Sequence, residues 1–186
     1  MPPVGPLPQR FFSRTALVVA CDLLGRHLHL GNCVARIVET EAYVGARDLA
    51  CHASKGKTPR TEVMYGPAGV AYVYLIYGMY YCFNVVTDKP GVGAAVLIRG
   101  AEWVSGVAPD ARGDGPGRFC RAMGIDKRYH ATSVLNGPIA LTEGQPPGAK
   151  SVRRGPRIGL GNVGEWKQKP YRFWIEGSRG VSRVKP

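Results

Sequence analysis

The chain has 186 residues, 45% of them hydrophobic, and carries a formal charge of +12 with a pI near 9.8. That length suffices for one domain with a buried core, and no stretch nears the ~18 consecutive apolar residues of a membrane span. The five cysteines form no C-x-x-C pair and no zinc-type spacing, which points to reduced thiols and away from a disulfide-built scaffold. The opening MPPVGPLPQRFF lacks the charged and apolar regions of a signal peptide, so a cytoplasmic location is expected.

The charge is uneven, with ten Lys/Arg against two Asp/Glu in residues 150–186. A domain this basic is expected to meet a polyanion, most often nucleic acid, although a solvated basic surface fits the composition equally well. Charge does not choose between DNA and RNA.

In chain order, Ser13 before RTALVVACDLLG reads as the N-cap of an amphipathic helix that Gly25 stops. RHLHLGNCVARIVETEAYV alternates as two strands broken at Gly31-Asn32. His27 and His29 share one strand face, which reads as a solvated face because no third ligand lies nearby. GVAYVYLIYG, YYCFNVVT and GAAVLIRG read as three more strands, the last two joined by the turn signal DKPG. PGRFCRAMG, residues 116–124, predicts a second helix closed by Gly124. Residues 144–164 are rich in Gly, Pro and basic residues like a linker, but the following PYRFWIEG is too short to fold alone and must return to the main sheet. The expected fold class is α+β: a single domain over residues 1–186, with a curved, largely antiparallel sheet, a protruding β-hairpin and few flanking helices.

Five of the nine tyrosines, Tyr72, Tyr74, Tyr77, Tyr80 and Tyr81, fall within YVYLIYGMYY. Gly78-Met79 reads as the centre of a type II′ turn, which makes residues 72–86 a hairpin with Tyr77 at its tip. Tyr72, Tyr74 and Ile76 share a face, either as aromatic core or, in a basic protein, as a stacking platform for bases. Upstream, VETEAYVGARDLACH puts Glu41 and Tyr43 on one strand face, with His52 following in a loop. A carboxylate, two aromatics and an imidazole so gathered would form a pocket where a flat ring stacks and a carboxylate activates water. Glu39 lies on the same face, and the residues alone do not choose between the two acids.

In this order, ETEAY, TPR, YVYLIYGMYYCFN, VLIR, GPGRFCRAMGID, RIGLGNVGEW and KPYRFWI resemble the alkyladenine (3-methyladenine) DNA glycosylase family from about Phe12 to nearly the C-terminus. The resemblance implies a single α+β domain, without metal or organic cofactor, that hydrolyses the N-glycosidic bond of alkylated and deaminated purines and leaves an abasic site. It implies Glu41 as the general base, with Arg99 and the backbone carbonyl of Ile158 holding the water. Tyr43, His52 and Tyr74 would enclose the flipped base, and Asn84 would limit the purine 2-position. Tyr77 would intercalate as the wedge, and Thr58, Arg60, Met79 and Tyr80 would contact DNA. The implied partner is double-stranded damaged DNA, met by a monomer in the cytoplasm, nucleoid-associated in a bacterium.

Two departures stand out. Thr61 replaces the family's usual Asn after TPR, and residues 100–115 match weakly. A regular two-residue hairpin would pair Tyr74 with Phe83 and turn Asn84 away from the pocket, so a wider turn or a bulge is expected there. The rival readings are a non-catalytic nucleic-acid-binding module and a thiol hydrolase built on Cys51 or Cys120.

Overall fold

In the computed structural model, which describes residues 5–183, the first helical stretch divides into α1 (Gln9–Phe12) and α2 (Ala16–Asp22). Ser13 is not the N-cap of one helix. It ends α1, its hydroxyl donating to Gln9 O at 3.0 Å, and Thr15 takes the N-cap position of α2. A short hydroxyl side chain can close a preceding turn as readily as open a following one, and Ser13 does the former. Gly25 ends the segment with φ +82°, and a β-carbon there would lie 2.2 Å from Gln145 O.

The strands are β1 (His27–Leu30), β2 (Cys33–Tyr43), β3 (Ala71–Ile76), β4 (Tyr80–Thr87), β5 (Ala94–Ser105), β6 (Ile139–Thr142), β7 (Val152–Gly155) and β8 (Arg172–Ile175). All pair antiparallel, in the order β3-β4-β5-β2-β1-β6, with β8 also on β2 and β7 on β8. The first half of β2 pairs with β1 and residues Glu39–Glu41 pair with β8, so one edge of one long strand serves two neighbours and the sheet curls. PYRFWIEG thus does return to the main sheet, and the Gly/Pro-rich stretch before it is no linker. The α+β class holds, with α3 (Pro116–Met123) ended by Gly124 at φ +70°. Strands β6 and β7, four residues each, were not anticipated, and β5 runs five residues past the predicted Gly100.

The core lies between the sheet and the helices, with Phe12, Leu23, Ile37, Phe83, Ile98 and Phe119 each 0% exposed. Burying such a side chain contributes roughly 1.5–3 kcal/mol, so this layer sets the frame on which the opposite sheet face is presented. Two compensating irregularities bend β2 against β5. The register steps from Ile37↔Ala101 to Glu39↔Gly100, which leaves Val38 unpaired, then to Thr40↔Ile98, which leaves Arg99 unpaired. Such bulges re-aim side chains, and this one releases Arg99 from the regular alternation beside Glu39 and Glu41. Gly100 permits the accompanying close approach, since a β-carbon there would lie 2.2 Å from Gly180 O.

Candidate active site

The β3–β4 hairpin turns through three residues, Tyr77, Gly78 and Met79, between the paired Ile76 and Tyr80. Met79 N donates to Ile76 O at 3.1 Å, so the turn is centred on Tyr77-Gly78 and not on Gly78-Met79. Both central residues have positive φ, +51° and +67°, the backbone that a type I′ turn uses. The extra residue moves the register by one. Tyr74 pairs with Cys82 and Tyr72 with Asn84, which puts Asn84 on the tyrosine face as the wider turn was expected to do. Tyr77 stands 83% exposed at the tip, with Met79 at 66% beside it. The hairpin packs on α3 just behind its tip, at Gly117, where a β-carbon would meet the Tyr80 side chain at 2.8 Å.

Between this hairpin and residues 158–163 lies a cleft of about 840 Å³, lined in part by Tyr43, His52, Tyr74, Asn84, Arg99 and Ile158. The two acids of β2 separate clearly behind it. Glu39 accepts from Arg172 Nη1 at 2.9 Å and from Ser182 N at 2.8 Å, a buried structural acid. Glu41 is equally buried, but its partners belong to the cleft wall. Ile158 N–H donates to its Oε1 at 2.8 Å, Tyr43 OH donates to its Oε2 at 2.8 Å, and Arg99 Nη1 lies 3.4 Å from Oε1. Burial raises the pKa of Glu41, opposed by Arg99 and by the two donors. Burial and the facing carboxylate also raise that of Tyr43, so its hydroxyl stays a donor. The Arg99 guanidinium bridges both acids at loose distances, with Nε 3.5 Å from Glu39 and no hydrogen-bond partner among the described residues. Ile158 meets Glu41 through its N–H, a contact apart from the water-holding role expected of its carbonyl.

The pocket wall is held by its own bonds. His52 Nδ1 lies 2.8 Å from Tyr72 OH, and its ring sits edge-on to Tyr74 at 4.7 Å. Burial lowers the pKa of His52 to about 4, so the ring is neutral near pH 7. Asn84 commits Nδ2 to Tyr72 O at 3.0 Å, which leaves Oδ1 as its free acceptor. Residues 158–163 form the opposite wall, anchored by the adjacent buried Arg157. That guanidinium binds Asp48 through two bonds of 2.6 and 2.9 Å, donates to Ala42 O at 2.9 Å, and stacks 4.7 Å from the Tyr43 ring.

The structure therefore gathers Glu41, Arg99, Tyr43, His52, Tyr74, Asn84 and Ile158 around one cleft, with Tyr77 and Tyr80 at its mouth. Thr58 and Arg60 are exposed outside its lining, and the Arg60 guanidinium lies 5.1 Å from the Tyr74 ring. Thr61 serves the local loop: its hydroxyl accepts from Thr58 N at 2.8 Å and donates to Gly56 O at 2.9 Å. Sequence reasoning missed Tyr72 as the partner of His52, the Asp48–Arg157 pair, and Lys55 in the cleft lining. Cys51 and Cys120 are poor nucleophiles, since burial raises both thiols, Cys51 to about 11. His29 bonds Thr142 Oγ1 at 2.9 Å, and among the described residues no three metal-capable side chains gather. Nor is any described helix long and apolar enough to cross a membrane.

Residues 10–179 match the family model described as methylpurine-DNA glycosylase (MPG). A Myxococcus xanthus protein is 53% identical over 184 residues, covering 97% of this chain and 95% of its own length. One from Legionella pneumophila (strain Corby) is 45% identical over 182 residues, covering 96% and 98%. A third, from Methanocella arvoryzae, is 46% identical over 196 residues, covering 97% of each chain. The names of all three give them as candidate 3-methyladenine DNA glycosylases.

Proposed function

Since the chain belongs to the methylpurine-DNA glycosylase family, we propose that it removes alkylated and deaminated purines from duplex DNA by hydrolysing the N-glycosidic bond with a water activated by Glu41. The observation that carries this reading is the setting of Glu41: a buried carboxylate whose three partners, Tyr43, Arg99 and Ile158, all line an aromatic cleft in a chain of charge +12. A purely DNA-binding surface gains nothing from burying an acid beside its groove.

A glycosidic carbon is out of reach in stacked duplex, so the nucleotide must leave the stack, at roughly a few kcal/mol. Tyr77, exposed on a strained positive-φ turn, is suited to fill the gap left behind. The cleft then receives the base between Tyr43, Tyr74 and His52. An alkylated, cationic purine stacks well on tyrosine faces and is a good leaving group. For a neutral lesion the discrimination must come from hydrogen bonding, because a site built for one donor–acceptor pattern leaves polar groups unpaired with another.

Glu41 retains lone pairs on both oxygens beyond its bonds to Ile158 and Tyr43, so it can take a proton from water. Its raised pKa makes it a stronger base than an exposed carboxylate. The loose geometry of the Arg99 guanidinium, 3.4 Å from Glu41 and 3.5 Å from Glu39, leaves donors to orient the water. As the bond breaks, the sugar becomes oxocarbenium-like and the nearby carboxylate stabilises it, by analogy with glycosidases. The enzyme so described is a monofunctional monomer acting on cytoplasmic DNA.

Incubation with a duplex holding one hypoxanthine, followed by alkaline cleavage of abasic sites, tests the proposal. Strand breakage at the lesion is expected. Tight binding without breakage would favour the non-catalytic nucleic-acid-binding module.

A further inference from the structure

A second groove, of about 620 Å³, runs beside the cleft along the far end of β5 and the turn after β8. Arg112, Arg179 and Arg183 line it, all three exposed, and Asp114 and Arg183 line the main cleft as well, so the two depressions are continuous. Its acids are already engaged. Glu102 pairs with Arg36 at 3.1 Å and accepts from Ser178 Oγ at 2.6 Å. Asp114 accepts two bonds from Arg112, at 3.0 and 2.6 Å, and one from Arg118 at 3.1 Å. Among the described residues neither Arg179 nor Arg183 has a carboxylate partner.

Arg112 shares its charge with Asp114, whereas Arg179 and Arg183 line the groove without a carboxylate partner among the described residues and repel each other unless an anion enters it. The groove is also braced. Trp103 Nε1 donates to Ala111 O at 2.6 Å and its ring stacks on Phe119, which fixes the loop that carries Arg112. Arg112 is held in one orientation by Asp114, so less side-chain freedom is lost when a ligand binds it.

We infer that this groove is a second phosphate track, in which Arg112, Arg179 and Arg183 neutralise phosphodiesters of the same DNA duplex outside the flipped nucleotide. The inference rests on the reading of the cleft as a DNA site. A small anion would use one guanidinium, whereas a polyanion running out of the cleft meets all three in turn. Each arginine then acts on affinity irrespective of damage, because phosphates carry no lesion information.

The test is the salt dependence of binding for wild type, Arg112→Ala, Arg179→Ala and Arg179→Lys, on lesion-bearing and undamaged duplexes of equal length. Each phosphate contact contributes about 0.9 to the slope of log affinity against log salt. Each alanine variant is expected to flatten that slope by about one on both duplexes. Arg179→Lys should keep it, since an ammonium also neutralises a phosphate. Wild-type slopes in both alanine variants, with wild-type binding and excision intact, would overturn the groove and leave the proposed function standing. Absence of DNA binding by wild type itself would overturn both.

Discussion

Asn84 stands opposite Tyr72 in the β3–β4 ladder and donates its side-chain amide to the Tyr72 carbonyl at 3.0 Å. That bond holds the side chain on the cleft face, 3% exposed, as a fixed obstacle on the pocket wall. Guanine carries an exocyclic amino group at the purine 2-position, and adenine and hypoxanthine do not, so an obstacle there rejects guanine by contact. Asn84→Ser should shift the ratio of guanine to hypoxanthine release toward guanine by about tenfold or more, the range expected for one small group in a pocket. Rates on otherwise identical duplexes check this, and an unmoved ratio would remove Asn84 as the filter.

Tyr77→Ala should weaken binding to lesion duplex by about tenfold, since an aromatic–base stack is worth roughly 1–3 kcal/mol. Excision should slow more for a lesion in a stable pair than for one in a mismatch, where flipping is cheap. Equal slowing in the two contexts would mean that Tyr77 is not the wedge.

The pH profile separates the two titratable groups of the site. Glu41, raised by burial, must lose its proton to act, so excision should fall as pH drops through that raised value. His52, depressed to about 4, is already neutral there and should leave that limb in place. Single-turnover rates from pH ~5 to 8 should therefore show the same acid limb in His52→Gln as in wild type, at a lower plateau. The same burial makes ionised Glu41 a cost to the fold. The folded state binds that proton more tightly than the unfolded chain, so this contribution to stability falls as pH rises through the raised value.

Water, and not an amine, is the proposed nucleophile, yet Lys55 lies in the cleft lining. An attacking lysine would form a Schiff base with the sugar, which borohydride reduces to a stable adduct. No adduct is expected from wild type. A trapped adduct that Lys55→Ala abolishes would reverse the monofunctional assignment and name the amine.

Much of the site was legible because it is local. Glu41 and Tyr43 alternate on one strand, and Tyr72, Tyr74 and Tyr77 cluster within one hairpin whose period of two survives folding. The choice between Glu39 and Glu41 was not local. It depends on Arg172 and Ser182 binding one acid and Ile158 the other, contacts more than 100 residues apart in sequence that no periodicity encodes. The Asp48–Arg157 pair hid for the same reason, since a fully buried ion pair looks like two surface charges until the fold closes. The bulge at Arg99 shifts a register by one, which composition does not record, whereas the wider hairpin turn was expected only from the family resemblance, the residues alone reading as a two-residue turn. Strands β6 and β7 are too short to show alternation and owe their conformation to their partners.

The central claim is that Glu41 acts as a base and does not serve merely as a buried strut. Glu41→Gln is nearly isosteric, and its side-chain oxygen can still accept from Ile158 N–H, but the amide cannot take a proton from water. The decisive measurement is the single-turnover release of hypoxanthine by this variant, alongside its affinity for the same duplex. A fall in release of at least ~10²–10⁴-fold with DNA affinity retained is the predicted result. Release within a few-fold of wild type, or binding and release falling together, would contradict it.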